Sequence, residues 1–93
     1  MIKVTVLTQK SCAFCDDAEA LFERLKMEYP LSISFIDLSS PEGHELAVEG
    51  GVLFPPGIFL EERLFSDGPP SERKLRSEIE RRLCMLKGSS SDH

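Results

Sequence analysis

Residues 2–15 read Ile2-Lys3-Val4-Thr5-Val6-Leu7-Thr8-Gln9-Lys10-Ser11-Cys12-Ala13-Phe14-Cys15, and the fold turns on them. Ile2, Val4 and Val6 alternate with Lys3, Thr5 and Leu7, and β-branched side chains dominate, so Ile2–Leu7 is predicted to be a strand. Ser11 is the expected N-cap of a following helix. Ala18, Leu21, Phe22, Leu25 and Tyr29 then recur with the period of an amphipathic helix, which Pro30 ends. A Cys-x-x-Cys pair therefore sits where a strand hands over to a helix.

Downstream, Leu31, Ile33 and Phe35 alternate with Ser32 and Ser34, which predicts a second strand over Leu31–Leu38. Ser40-Pro41 places a capping side chain before a proline suited to the first helical position, and Gly50-Gly51 closes that short helix. The triplet Ile58-Phe59-Leu60 has the continuous apolar character of a strand covered on both faces. Glu61-Glu62-Arg63 turns the chain into Leu64-Phe65-Ser66 as a hairpin, and Asp67-Gly68-Pro69-Pro70 interrupts it again. Ser71 is expected to cap a last helix that carries Leu75, Ile79, Leu83 and Leu86 on one stripe. The order is β-α-β-α-β-β-α. With the first crossover right-handed, an α/β fold follows: a four-stranded mixed sheet with helices on both faces. Residues 1–87 make one domain, and Gly88-Ser89-Ser90-Ser91-Asp92-His93 is expected to be a disordered tail.

A chain of 93 residues leaves no room for a second core or a separate cofactor lobe. Eleven basic against sixteen acidic residues give a net charge of −5, which argues against a polyanionic partner such as nucleic acid. The basic residues between Arg73 and Lys87 alternate with Glu78 and Glu80, the pattern of a solvated helix face. Ile58–Leu60 falls far short of the roughly 20 apolar residues of a membrane span. Met1–Lys10 lacks the apolar stretch of a signal peptide. A cytoplasmic protein with no membrane partner is expected.

Three cysteines do not make a secreted disulfide framework. At a helix start the free amides of the first turn and the macrodipole favour an anion, so they stabilise a thiolate on Cys12. Thiolate is the nucleophilic form. Lys10 adds positive charge nearby, while Asp16 and Asp17 oppose it. At about 100° per residue, Cys15 shares the buried stripe of Ala18 and Phe22, and Cys12 lies at its edge. Cys12 is thus the expected attacking thiol and Cys15 the resolving one. Two packed structural cysteines are the plain alternative. A zinc site within the chain would need two further ligands, for which only Cys84, His44 and His93 are available. Cys84 is expected to be partly exposed and remote from Cys12, and His44 a surface residue.

Together, Cys12/Cys15 after a first strand and Gly51-Val52-Leu53-Phe54-Pro55-Pro56-Gly57-Ile58-Phe59-Leu60 resemble the thioredoxin-fold oxidoreductases. The match is closest to the small glutaredoxins, in size and in lacking an extra N-terminal strand and helix. The resemblance covers nearly all of residues 1–87. It implies a cis-proline at Pro56 facing the dithiol, where it shapes the substrate groove and keeps metals off the thiols. It implies thiol–disulfide exchange on protein or glutathione mixed disulfides, with a reductant system, no tightly bound cofactor and a monomeric chain. Glutathione would be a co-substrate. Lys10, Ala13, Phe14, Pro55, Pro56 and Asp67 are the substrate-binding positions it marks.

Three departures stand against that pattern. Ala13-Phe14 replaces the family's Gly-Pro or Pro-Tyr between the thiols. Pro55 has no N–H to pair with a bound substrate backbone. Ser66-Asp67-Gly68-Pro69-Pro70-Ser71 carries one glycine where glutaredoxins have Gly-Gly; Asp67 and the Ser71 cap are the groups left to receive the ends of glutathione. Val6 stands where thioredoxins bury an acid. Phe14 and Phe54 are either an apolar rim or core; Phe59 is assigned to the core. Two other functions remain open on this fold: a dithiol that binds zinc or an iron–sulfur cluster between chains, and an interaction domain with vestigial chemistry.

Overall fold

The alternating residues of Ile2–Thr8 form β1, the strand on which the sheet is built. In this computed structural model the backbone is described for residues 1–91 and side chains for residues 1–85. After β1 come α1 (Ala13–Glu28), β2 (Leu31–Asp37), α2 (Pro41–Gly50), β3 (Gly57–Leu60), β4 (Arg63–Asp67) and α3 (Glu72–Ser91). This is the order the sequence periodicities predict.

The four strands lie in the order β2-β1-β3-β4. β1 pairs parallel with β2, Ile2 opposite Leu31 and Thr8 opposite Asp37. It pairs antiparallel with β3, Val4 opposite Leu60 and Leu7 opposite Gly57. β4 returns along β3, with a shift of register at Ile58/Phe59. β3 is buried at all four of its residues, as a central strand with both faces covered should be.

Because side chains alternate along a strand, the register divides the residues between two faces. Ile2, Val4, Val6, Leu31, Ile58 and Leu60 form one cluster with Ala18, Leu21, Phe22 and Leu25 of α1 and Leu75 and Ile79 of α3. Each of these side chains larger than alanine contributes roughly 1.5–3 kcal/mol by leaving water. Leu83 packs at the edge of the cluster, as its place on the predicted stripe requires. Phe59 points to the opposite face and is only 5% exposed. There α2 lies close: a Cβ on Gly50 would come within 2.6 Å of the Phe59 ring, and one on Gly43 within 2.0 Å of the Asp37 carbonyl. Small residues on α2 thus let it approach the sheet.

The local signals act as their chemistry requires. The Ser40 hydroxyl accepts from the Gly43 amide at 3.0 Å, and Pro41 opens α2. Gly51 ends it with φ +79, the left-handed conformation that glycine adopts at little cost. The Ser71 hydroxyl accepts from the Lys74 amide at the start of α3. One cap differs from expectation. Ser11 takes φ 56 and stands outside α1, whose N-cap is Cys12. The left-handed turn at Ser11 swings its side chain out of capping position and brings the next residue in. α3 is assigned through Ser91, beyond the expected boundary at 87. The side chains of residues 86–93, Leu86 included, and the backbone of residues 92–93 lie outside the described residues; of the expected tail only the backbone of residues 88–91 is described, within α3.

Candidate active site

One end of the sheet gathers the segments that carry the dithiol, the two prolines and Asp67. Thr8, Asp37, Gly57 and Asp67 lie at that end, since Thr8 pairs with Asp37, Leu7 with Gly57, and Gly57 with Asp67. The segments that leave it are residues 9–12, 38–40, 51–56 and 68–71. Crevices at strand ends are the usual ligand sites of open α/β sheets.

Cys12 caps α1 through sulfur. Its backbone is extended, with φ −117 and ψ 108, and its Sγ accepts from the Cys15 amide at 3.2 Å. Its carbonyl accepts from the Cys15 and Asp16 amides, each at 3.1 Å. An N–H aimed at the sulfur, at the positive end of a helix of 16 residues, stabilises negative charge on that atom. Cys12 is half-buried, open enough to meet a second molecule, whereas Cys15 is only 1% exposed. Burial pushes the Cys15 thiol up to about 12, helped by its hydrogen bond to Cys12 and opposed by the Gln9 backbone. The two thiols are therefore unequal: one presented and served by an amide donor, the other shielded and held protonated near neutral pH.

The segment before β3 faces the same end. The Pro55–Pro56 peptide bond is cis. The Pro56 side chain is fully buried, and Pro55 is half-buried. Pro55 offers a carbonyl but no N–H, so any backbone contact there is one-sided. Phe54 is 67% exposed, Leu53 78% and Phe14 48%. These side chains form no part of the core; Phe14 lies in the dithiol turn and Phe54 directly before the prolines. Phe59 is the buried one.

Asp67, marked as a group for the end of glutathione, has a partner already. Its Oδ2 accepts from the Leu53 amide at 2.8 Å and the Phe54 amide at 3.3 Å. The Gly68 amide donates back to the Phe54 carbonyl at 2.9 Å. The local sequence gives no sign of this clamp, which depends on the β3–β4 register. Lys10 is exposed, and its charge is felt at Asp37. Asp37 is held below the usual carboxylate range, first by the Ser39 hydroxyl and amide, then by Lys10. Ala13 is exposed beside Cys12. Cys84 is exposed on α3 and His44 on α2. Among the described residues no three His, Cys, Asp or Glu side chains gather as a metal-ligand group. No helix among them is long and apolar enough to cross a membrane.

No family model matches the sequence, and comparison with curated proteins finds no relative. Solved structures do match. A mutant thioredoxin of Halobacterium salinarum superposes with a TM-score of 0.67 at 23% identity, over 86% of this chain and 73% of that one. Oxidised mitochondrial thioredoxin 3 of Saccharomyces cerevisiae gives 0.69 at 19% identity, over 86% and 77% of the two chains. The thioredoxin of Fasciola hepatica gives 0.65 at 22%, over 86% and 79%. The likeness establishes the fold.

Proposed function

We propose that this thioredoxin-fold chain is a thiol–disulfide oxidoreductase in which Cys12 attacks and Cys15 resolves. The observation that carries the proposal is the inequality of the thiols. Cys12 is half-exposed, with an amide donating to its sulfur at 3.2 Å, and Cys15 is buried with its thiol pushed up to about 12.

In the first step the Cys12 thiolate attacks one sulfur of a substrate disulfide. A bond from Cys12 to that sulfur forms, the substrate S–S bond breaks, and the second substrate sulfur leaves as thiolate. The leaving thiolate takes up, through solvent, the proton that Cys15 releases in the second step. Cys15 then gives up its own proton and attacks Cys12 Sγ. The remaining substrate sulfur leaves as thiolate, and Cys12 and Cys15 end as a disulfide. Two electrons have passed from the dithiol to the substrate. Burial keeps Cys15 out of the first step, so a foreign disulfide is met by one nucleophile at a time.

Pro56, buried and cis in the segment that leaves the same end of the sheet as the dithiol turn, is given the role of shaping the substrate groove, with Phe14, Leu53 and Phe54 as its apolar border. Protein disulfides are the substrate class that this border suits. Glutathione mixed disulfides are the alternative, weakened by Pro55, which has no N–H, and by Asp67, whose Oδ2 is occupied. The glutaredoxin-like assignment is tested with the substrate, and the working form we infer is a cytoplasmic monomer regenerated by a dithiol reductant.

The experiment uses Cys12→Ser and Cys15→Ser with a peptide disulfide. Cys12→Ser is expected to abolish exchange, and Cys15→Ser to accumulate the mixed disulfide on Cys12. Exchange retained in Cys12→Ser refutes the assignment. A fixed metal-to-protein ratio in freshly purified protein, with both thiols inert, supports a dithiol that binds metal between chains instead.

A further inference from the structure

Leu53 and Phe54 are large apolar residues left in water, 78% and 67% exposed, yet their backbone is tied at several points. The Val52 amide donates to the Ala47 carbonyl at 2.9 Å. The Val52 side chain packs on Gly57, where a Cβ would come within 2.9 Å of it. The Leu53 and Phe54 amides donate to Asp67 Oδ2 at 2.8 and 3.3 Å. The Gly68 amide, presented by a left-handed residue with φ +78, returns to the Phe54 carbonyl at 2.9 Å. The loop thus hangs from the end of β4 by a ring of hydrogen bonds, and one carboxylate supplies two of its acceptor contacts. Hydrogen bonds to an ionised acceptor are the stronger kind.

We propose that Asp67 is a positioning residue for the dithiol site. It holds Leu53 and Phe54 as a preformed apolar edge that favours a polypeptide disulfide flanked by apolar side chains over a small polar disulfide. Asp67 touches neither thiol and acts through the loop. A bound chain meets side chains whose backbone is already ordered, so binding loses less conformational entropy. A small polar disulfide brings no flanking apolar side chains for that edge to hold. The inference rests on the exchange activity proposed above.

The test is a single-turnover reaction. Pre-reduced protein is mixed with either a peptide disulfide flanked by leucine and phenylalanine or hydroxyethyl disulfide, and the Cys12–Cys15 disulfide is counted by mass after acid quench. Asp67→Ala is expected to raise the half-saturating peptide concentration about tenfold while the maximal rate stays within about twofold, the split that marks lost binding rather than lost chemistry. The preference for peptide over hydroxyethyl disulfide falls by the same factor. Asp67→Asn, which keeps an acceptor oxygen, recovers part of the loss. The pair Leu53→Ala/Phe54→Ala alters only exposed side chains and is expected to lose the same preference. Adding Asp67→Ala to that pair costs nothing further, since coupled residues are not additive. The proposal is overturned if Asp67→Ala slows both disulfides alike, leaves the preference unchanged, or adds its loss to that of the pair. Wild-type protein that oxidises with neither disulfide overturns the exchange activity itself, and shows it before any variant is made.

Discussion

Alkylation of Cys15 in the Cys12→Ser variant isolates the buried thiol. In the native chain it is pushed from an ordinary 9.0 to about 12, first by burial and then by the hydrogen bond to Cys12. Three pKa units mean that about a thousandth as much thiolate is present near neutral pH, since each unit is a factor of ten in that range. Serine at position 12 removes the sulfur partner but leaves the burial, the largest cause, so most of the effect persists. Iodoacetamide at pH 7, followed by peptide mapping, is expected to label Cys15 at least about a hundredfold more slowly in folded Cys12→Ser than in the same chain unfolded in urea, because only thiolate reacts. The gap narrows as pH rises past 9 toward 12, where the folded thiol ionises. The sign follows from the raised value: native structure favours the protonated thiol, a contribution to stability present below pH 9 and lost as pH approaches 12. A folded rate within tenfold of the unfolded one refutes the shielding, and with it the separation of attacking and resolving roles.

Three further outcomes follow from particular contacts. Gly43→Ala places a Cβ 2.0 Å from the Asp37 carbonyl oxygen, a backbone atom that cannot step aside. After the small gain in helix propensity it is expected to cost about 2 kcal/mol, lowering Tm by roughly 10 °C; an unchanged melting curve contradicts the close α2–sheet approach. Because Cys12 caps α1, Cys12→Ser keeps an acceptor for the Cys15 amide while Cys12→Ala loses it, so the alanine variant is expected to be less stable by about 1 kcal/mol in urea titration. Glu78 is held down to about 2 by Arg81 and Arg82, so its ion pairs contribute above pH 4.5 and are lost as pH falls toward 2. For a half-buried carboxylate paired with one exposed and one half-buried arginine the contribution is about 0.5–1 kcal/mol after solvent screening, and Glu78→Gln is expected to flatten that part of the acid titration.

Most of the fold was legible because its signals are local. Period-two alternation in Ile2–Leu7, the i, i+3, i+4 stripe from Ala18 to Tyr29 and the punctuation at Pro30, Ser40-Pro41 and Gly51 each rest on neighbours a few residues away. The inequality of Cys12 and Cys15 was legible for the same reason, since helical rotation alone separates the stripe from its edge. The cap was misplaced because serine is the stronger capping residue by composition, while φ 56 at Ser11 is set by how the turn leaves β1. The role of Asp67 was hidden for a different cause. Its partners, Leu53 and Phe54, are 14 and 13 residues away and meet it only once β3 and β4 are in register. Phe14 and Phe54 looked equally like rim or core, because an aromatic residue carries no mark of which side of a loop it will face. Their exposure, 48% and 67%, rules out the core.

Intact-mass titration of the protein and its Cys15→Ser variant across glutathione redox buffers tests the dithiol most directly. The account predicts that the wild type passes from dithiol to an internal Cys12–Cys15 disulfide in one step, and that the variant takes glutathione on Cys12 while Cys84 lags behind. Wild-type protein that stays reduced throughout, or a variant whose adduct maps to Cys84 and not to Cys12, would contradict it.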